Sequence, residues 1–173
     1  MRRILLTCVL LGLVVTFGLL TAPTIPAAQD ATPTGEAAPI VLESLGSAPS
    51  PDAPGMQLAL LRFTIAPGFV APPHVHPGQL VIAVESGSVA YTILDEQGES
   101  GRGRFGTPTA AEVIPPGTEV LLGPGDWIIE EPGIVHTFRN PGDEPLVLLV
   151  SALIAADEPF LQPVDIGMAT PAA

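Results

Sequence analysis

Between residues 56 and 155 the apolar positions alternate with polar ones or gather in short runs, and turn-forming residues interrupt them repeatedly. Over residues 57–65, Leu61, Phe63 and Ile65 share one face of an extended chain, while Leu58, Leu60, Arg62 and Thr64 share the other. Residues 80–84 are apolar on both faces, which predicts a buried strand. Residues 85–88 fit a hairpin turn, with residues 89–94 returning antiparallel. Residues 127–130 and 135–139 predict successive strands, and the almost wholly apolar residues 146–154 a central one. Shorter strands are expected at 40–45, 111–114 and 119–122. Pro-Gly and Asn-Pro-Gly clusters punctuate these runs at Pro67-Gly68, Pro77-Gly78, Pro116-Gly117 and Asn140-Pro141-Gly142. Many short strands without an amphipathic helix predict an all-β sandwich or small barrel.

One stretch breaks the rhythm. Residues 95–108 hold Gly98, Gly101, Gly103 and Gly106 among charged residues, and predict a long mobile loop. With no lysine in the chain and no helix pattern after it, this loop is not read as a phosphate cradle.

The ends read differently from the middle. Met1-Arg2-Arg3 followed by an apolar run over 4–20 predicts a signal peptide at residues 1–28, with an uncleaved membrane anchor as the alternative. Export of a bacterial type follows, to the cell envelope or the medium. Residues 29–55 form a Pro/Ala-rich linker with a first strand inside it, and residues 56–155 the single barrel domain. Residues 156–173 form a loose Pro/Ala-rich tail from which Phe160 and Leu161 can dock. The lone cysteine, Cys8, lies in the leader, so no intramolecular disulfide holds the domain.

Composition narrows the partners. Eighteen acidic residues against six arginines give a formal charge of -12, which repels phosphate backbones and argues against nucleic acid.

The chemistry is concentrated in three histidines, the whole complement of the chain. His74 and His76 stand two apart, so on a strand both rings point to one face. His136 sits on a later strand. Imidazole suits Zn, Cu, Fe and Ni, and the expected cofactor is a divalent ion of Fe, Mn, Zn, Ni or Cu.

These residues also carry a resemblance. Gly68, His74, His76 and Gly87 resemble the first motif of the cupin superfamily, and Gly125, Gly133, His136 and Asn140 the second. Two positions depart from it: Leu80 stands where the first motif has a glutamate, and Glu131 where the second has a proline. The resemblance implies a jelly-roll β-barrel in which His74, His76 and His136 converge on a divalent transition metal. The usual fourth ligand, the glutamate, is missing, as in cupin-like thiol dioxygenases that use three histidines. A small-molecule ligand, dioxygenase-like chemistry and homodimerisation through edge strands are implied with it. Two alternatives stay open: a non-enzymatic ligand-binding or sensor barrel with weak or no metal, and a structural or interaction module.

The remaining candidates have plainer expectations. Glu130 and Glu131 face opposite ways, so one could look inward, but both are expected on the solvated rim. Gln79 faces away from the Leu80 side. Tyr91 is expected to pack within its strand and Trp127 to cap the core. Arg62 and Arg139 should pair with acidic neighbours on the surface, and Asn140 should shape a turn.

Overall fold

The computed structural model describes residues 38–107, 109–110 and 112–167. The expected signal peptide and the first part of the linker fall outside the described residues. Twelve strands follow one another: β1 (Ile40–Pro49), β2 (Met56–Ile65), β3 (His74–Val75), β4 (Gly78–Ser86), β5 (Val89–Ile93), β6 (Ser100–Arg104), β7 (Glu112–Ile114), β8 (Glu119–Leu122), β9 (Asp126–Glu130), β10 (His136–Arg139), β11 (Leu146–Ala155) and β12 (Gln162–Pro163). No helix occurs among the described residues. One sheet has the order β1-β2-β11-β4-β9-β6-β7, the other β12-β3-β10-β5-β8, and every pairing is antiparallel.

Alternation in β2 sets the polarity of the larger sheet. Ala59, Leu61 and Ile65 are buried, whereas Leu58 and Leu60 face out. β11, the most apolar strand, takes the middle place between β2 and β4. Its Leu148, Val150 and Ala152 join Leu80 and Val84 of β4, and meet Val89, Tyr91 and Ile93 of β5 from the other sheet. The core is therefore the space between the two sheets.

Three expectations change. The apolar run 80–84 is not buried on both faces: Leu80 and Val84 point inward, but Val81 is exposed on the outer face. The turn at 85–88 does not close a hairpin. β5 pairs with β10 and β8, not with β4, so the turn carries the chain from one sheet to the other. Gly87 makes this crossing feasible, with φ of 76° and its Cα so close to Leu146 that a Cβ would meet that backbone at 2.9 Å. The predicted loop at 95–108 contains β6, which pairs with β9 and β7. Its glycines mark close packing: a Cβ on Gly103 would collide with the Trp127 ring, and one on Gly101 with Ala110.

The sheets also take in residues on both sides of the 56–155 stretch. β1 runs to Pro49 and pairs with β2 along its length, and β12 pairs with β3.

Candidate metal centre

Antiparallel register builds the centre. β10 lies between β3 and β5, which sets His136 directly opposite His74 on one side and Ile93 on the other. His76, just past the end of β3, keeps the face that period-two alternation gives it. The three rings are all buried, and their ligating nitrogens lie within 4.8 Å of one another. Ring centroids are 4.2 Å apart for His74–His136, 5.1 Å for His74–His76 and 5.2 Å for His76–His136.

Each ring is fixed by its other nitrogen. Nδ1 of His74 is 2.8 Å from the Pro72 carbonyl, Nδ1 of His76 is 2.6 Å from the Phe160 carbonyl, and Nδ1 of His136 is 2.9 Å from the Ile134 carbonyl. A carbonyl only accepts, so Nδ1 carries the proton in all three rings and Nε2 keeps its lone pair. Backbone carbonyls orienting imidazoles in this way are the usual support of metal-binding histidines. Burial pushes the three histidines down to about 4, so they stay neutral and able to ligate at neutral pH. The donor set fits a divalent transition ion.

The site holds one residue that the sequence reading misplaced. Glu130 is not on the solvated rim: it is 2% exposed and projects into the cavity. Its Oε1 lies 3.3 Å from His136 Nε2, and its Oε2 3.6 Å from His76 Nε2. These are not ion pairs, because burial keeps both imidazoles neutral, at His76 against the pull of the Glu130 carboxylate. Burial likewise pushes the Glu130 carboxyl up to about 7, against smaller opposing effects of His76 and Tyr91. Alternation puts Glu130 on the face of Ile128 and Glu131 on that of Ile129. With both isoleucines apolar, the sequence alone does not say which face is inside. Glu131 does reach solvent, where its carboxylate accepts a hydrogen bond from Gln79.

Around the histidines is a cavity of about 310 Å³. Its polar lining consists of the three histidines, Glu130 and Tyr91, and its other lining residues are aliphatic or aromatic. Tyr91 packs in its strand as expected and also faces the cavity. Its hydroxyl lies beside Ser100 and Glu130 with no well-formed hydrogen bond to either. Burial first, then the Glu130 carboxylate, raises its pKa far above the usual phenol range. Leu42 and Leu161 line the cavity and still reach solvent, which places its mouth between β1 and the tail. Phe160 docks there, its ring 4.6 Å from His76 and 5.7 Å from Phe63.

A two-sheet barrel with three inward histidines can be set beside known proteins. The family model for the cupin domain matches residues 110–152. A cupin 2 domain-containing protein from Halorhodospira halophila superposes with a TM-score of 0.50 at 19% identity, over 78% of this chain and 77% of that one. The family-model match and this likeness support a cupin domain. The barrel also superposes on the DMSP lyase DddQ from Ruegeria pomeroyi, with a TM-score of 0.51 at 18% identity, over 75% of this chain and 54% of that one. A conserved double-stranded β-helix protein from Klebsiella pneumoniae has 23% identity and a TM-score of 0.48, over 72% and 85% of the two chains. The Halorhodospira and Ruegeria likenesses, at TM-scores of 0.50 and 0.51, show the fold and nothing about reaction. No curated protein matches the chain.

The other candidates in the barrel fall where their chemistry puts them. Arg62 pairs with Glu85 and Glu43, and Arg139 with Glu119, on the surface. Arg102 and Arg104 are paired too, with Glu112 and Asp126, so none of the described arginines faces the cavity. Asn140 is buried in its turn: Nδ2 donates to the carbonyls of Ile65 and Glu144, and Oδ1 accepts from the Gly142 amide. Trp127 is buried in β9.

Proposed function

We propose that the chain is an exported cupin protein that holds a divalent transition metal through His74, His76 and His136 and admits a small, largely apolar molecule to the pocket beside it. The observation that carries the reading is the common orientation of the rings. Three Nδ1–H groups are tied to backbone carbonyls, which leaves three Nε2 lone pairs in one buried site. A divalent ion held there supplies Lewis-acid or oxygen-activating chemistry at its open positions. The chain itself supplies a water-poor aliphatic wall, one phenol at Tyr91 and one carboxyl at Glu130. With no cation in the wall, an anionic substrate would find no partner except the metal. Dioxygenase-like turnover of an apolar substrate is the enzymatic form of this proposal. A non-catalytic ligand-binding barrel is the second reading, favoured by the small number of proton-transferring groups in the cavity.

The deciding experiment is elemental analysis of the purified full-length chain after exposure in turn to Fe, Mn, Zn, Ni and Cu, beside His136→Ala. Near-stoichiometric metal in the parent and its loss in the variant are expected. Metal-free protein after every exposure would refute the metal reading. Export rests on the leader, and mass spectrometry of the protein recovered from the medium or envelope should find it starting near residue 28. A second copy would find the exposed edge of β1 open for strand pairing, so light scattering should report a homodimer.

A further inference from the structure

We infer that Glu130 is a fourth protein ligand, a carboxylate supplied across the sheet to make good the loss at Leu80. The inference rests on the metal reading above and deepens it.

Register is the first ground. β4 and β9 pair Leu80 with Glu130, so the two side chains are direct cross-strand neighbours on the cavity face. Such neighbours have Cβ atoms about 5 Å apart. A carboxylate leaving Leu80 for Glu130 moves by one strand spacing and still reaches the same space.

Hydrogen-bond chemistry is the second. With Nδ1 protonated, Nε2 of His76 and of His136 are acceptors, and both oxygens of Glu130 face them, at 3.6 and 3.3 Å. Acceptors turned toward acceptors repel unless something positive lies between them. Glu130 Oε2 is fully buried with no hydrogen-bond partner. One proton on the carboxyl can satisfy one such contact. A divalent cation between them is attracted by the carboxylate and by the imidazole lone pairs at once.

Distance is the third. Metal–ligand bonds of about 2.0–2.2 Å put neighbouring atoms of a tetrahedral set roughly 3.3–3.6 Å apart. The two Glu130–histidine separations fall in that range, one through each carboxylate oxygen, so a small rotation of the carboxyl would bring a single oxygen to complete the set. Charge agrees, since the cavity offers no other anion to balance a divalent ion, and the described arginines are paired outside it.

The test is zinc titration of the full-length chain with a competing chelator, together with the visible spectrum of the cobalt-loaded protein. Glu130→Gln keeps the shape and removes the charge. Glu130→Leu removes a partnerless buried carboxyl and should fold at least as well as the parent. Both variants should weaken zinc binding by at least about tenfold and alter the cobalt ligand-field bands. Adding Leu80→Glu to Glu130→Leu should recover much of the affinity, which a purely structural role for Glu130 would not allow. Zinc affinity within twofold of the parent in both single variants, with loss only in His136→Ala, would overturn this inference and leave the three-histidine site standing. A parent that binds no metal overturns both.

Discussion

Replacing Phe160 with alanine should disturb the centre from outside it. The tail reaches the barrel through few contacts. Gln162 and Pro163 pair with Val75 and His74, the Val164 amide donates to the Pro73 carbonyl, and the Phe160 ring packs between His76 and Phe63. The Phe160 carbonyl is the one that holds His76 Nδ1, at 2.6 Å. Truncating a fully buried phenylalanine costs about 3–5 kcal/mol. Phe160 is half-buried, so about 2 kcal/mol is the expected loss. The tail has little else to oppose the entropy of ordering its residues, at about 1–2 kcal/mol each. Most of the loss should therefore appear as undocking of residues 157–164 and not as global unfolding. His76 then loses its fixed tautomer and orientation, and a partner of this kind is worth about 10–100-fold in metal affinity. The assay is zinc affinity of Phe160→Ala beside amide exchange at Val75 and Val164. Weaker zinc binding and faster exchange at both amides are expected, with a much smaller change at Val150 in the middle of β11. Unchanged affinity with unchanged exchange at Val75 would refute the argument, because the tail would then be no support for His76.

Acidification should destabilise the chelator-treated protein well above the usual carboxylate range. Burial holds the three histidines at about 4 against 6.5 unfolded, so their contribution is complete above pH 6.5 and is lost as pH falls toward 4. Glu130 acts oppositely, since its raised value gives a contribution present below 4.5 and lost as pH rises through 7. Between those limits the unfolded chain gains up to three protons on histidine and the folded chain keeps one on Glu130. The net of two gives about 3 kcal/mol per pH unit. Urea midpoints followed by Trp127 fluorescence should climb from pH 5 to a plateau near 7, and a flat or falling profile would count against buried neutral imidazoles. Gly87→Ala should cost about 1–3 kcal/mol from its backbone conformation alone, and more from contact with Leu146, read as a lowered melting temperature. Gly78→Ala should be at least as damaging, because its Cβ would run into the Leu153 carbonyl of β11. Wild-type melting of either glycine variant would mean that β4 has room to shift.

What the sequence made legible depended on whether one strand could settle the question. Two-residue alternation put His74 and His76 on one face without any knowledge of neighbours, and the third histidine had few other duties to perform. The two faces of β2 separated for the same reason, with Leu61, Phe63 and Ile65 on one and Arg62 and Thr64 on the other. Alternation failed where both faces were apolar. In 80–84 it predicted burial all round, although Val81 faces out, and in β9 it left Glu130 and Glu131 with no sign of which was inside. Pairing between distant strands was harder still. The sheet change at Gly87 and the placing of β6 beside β9 depend on close approaches that only the folded chain displays. The register of Leu80 against Glu130 belongs to this last group. Read along the chain, the leucine is a lost ligand. Read across the sheet, it is one half of a pair whose other half carries a buried carboxylate, and the chemistry of a site assembled from several strands has to be judged by the second reading.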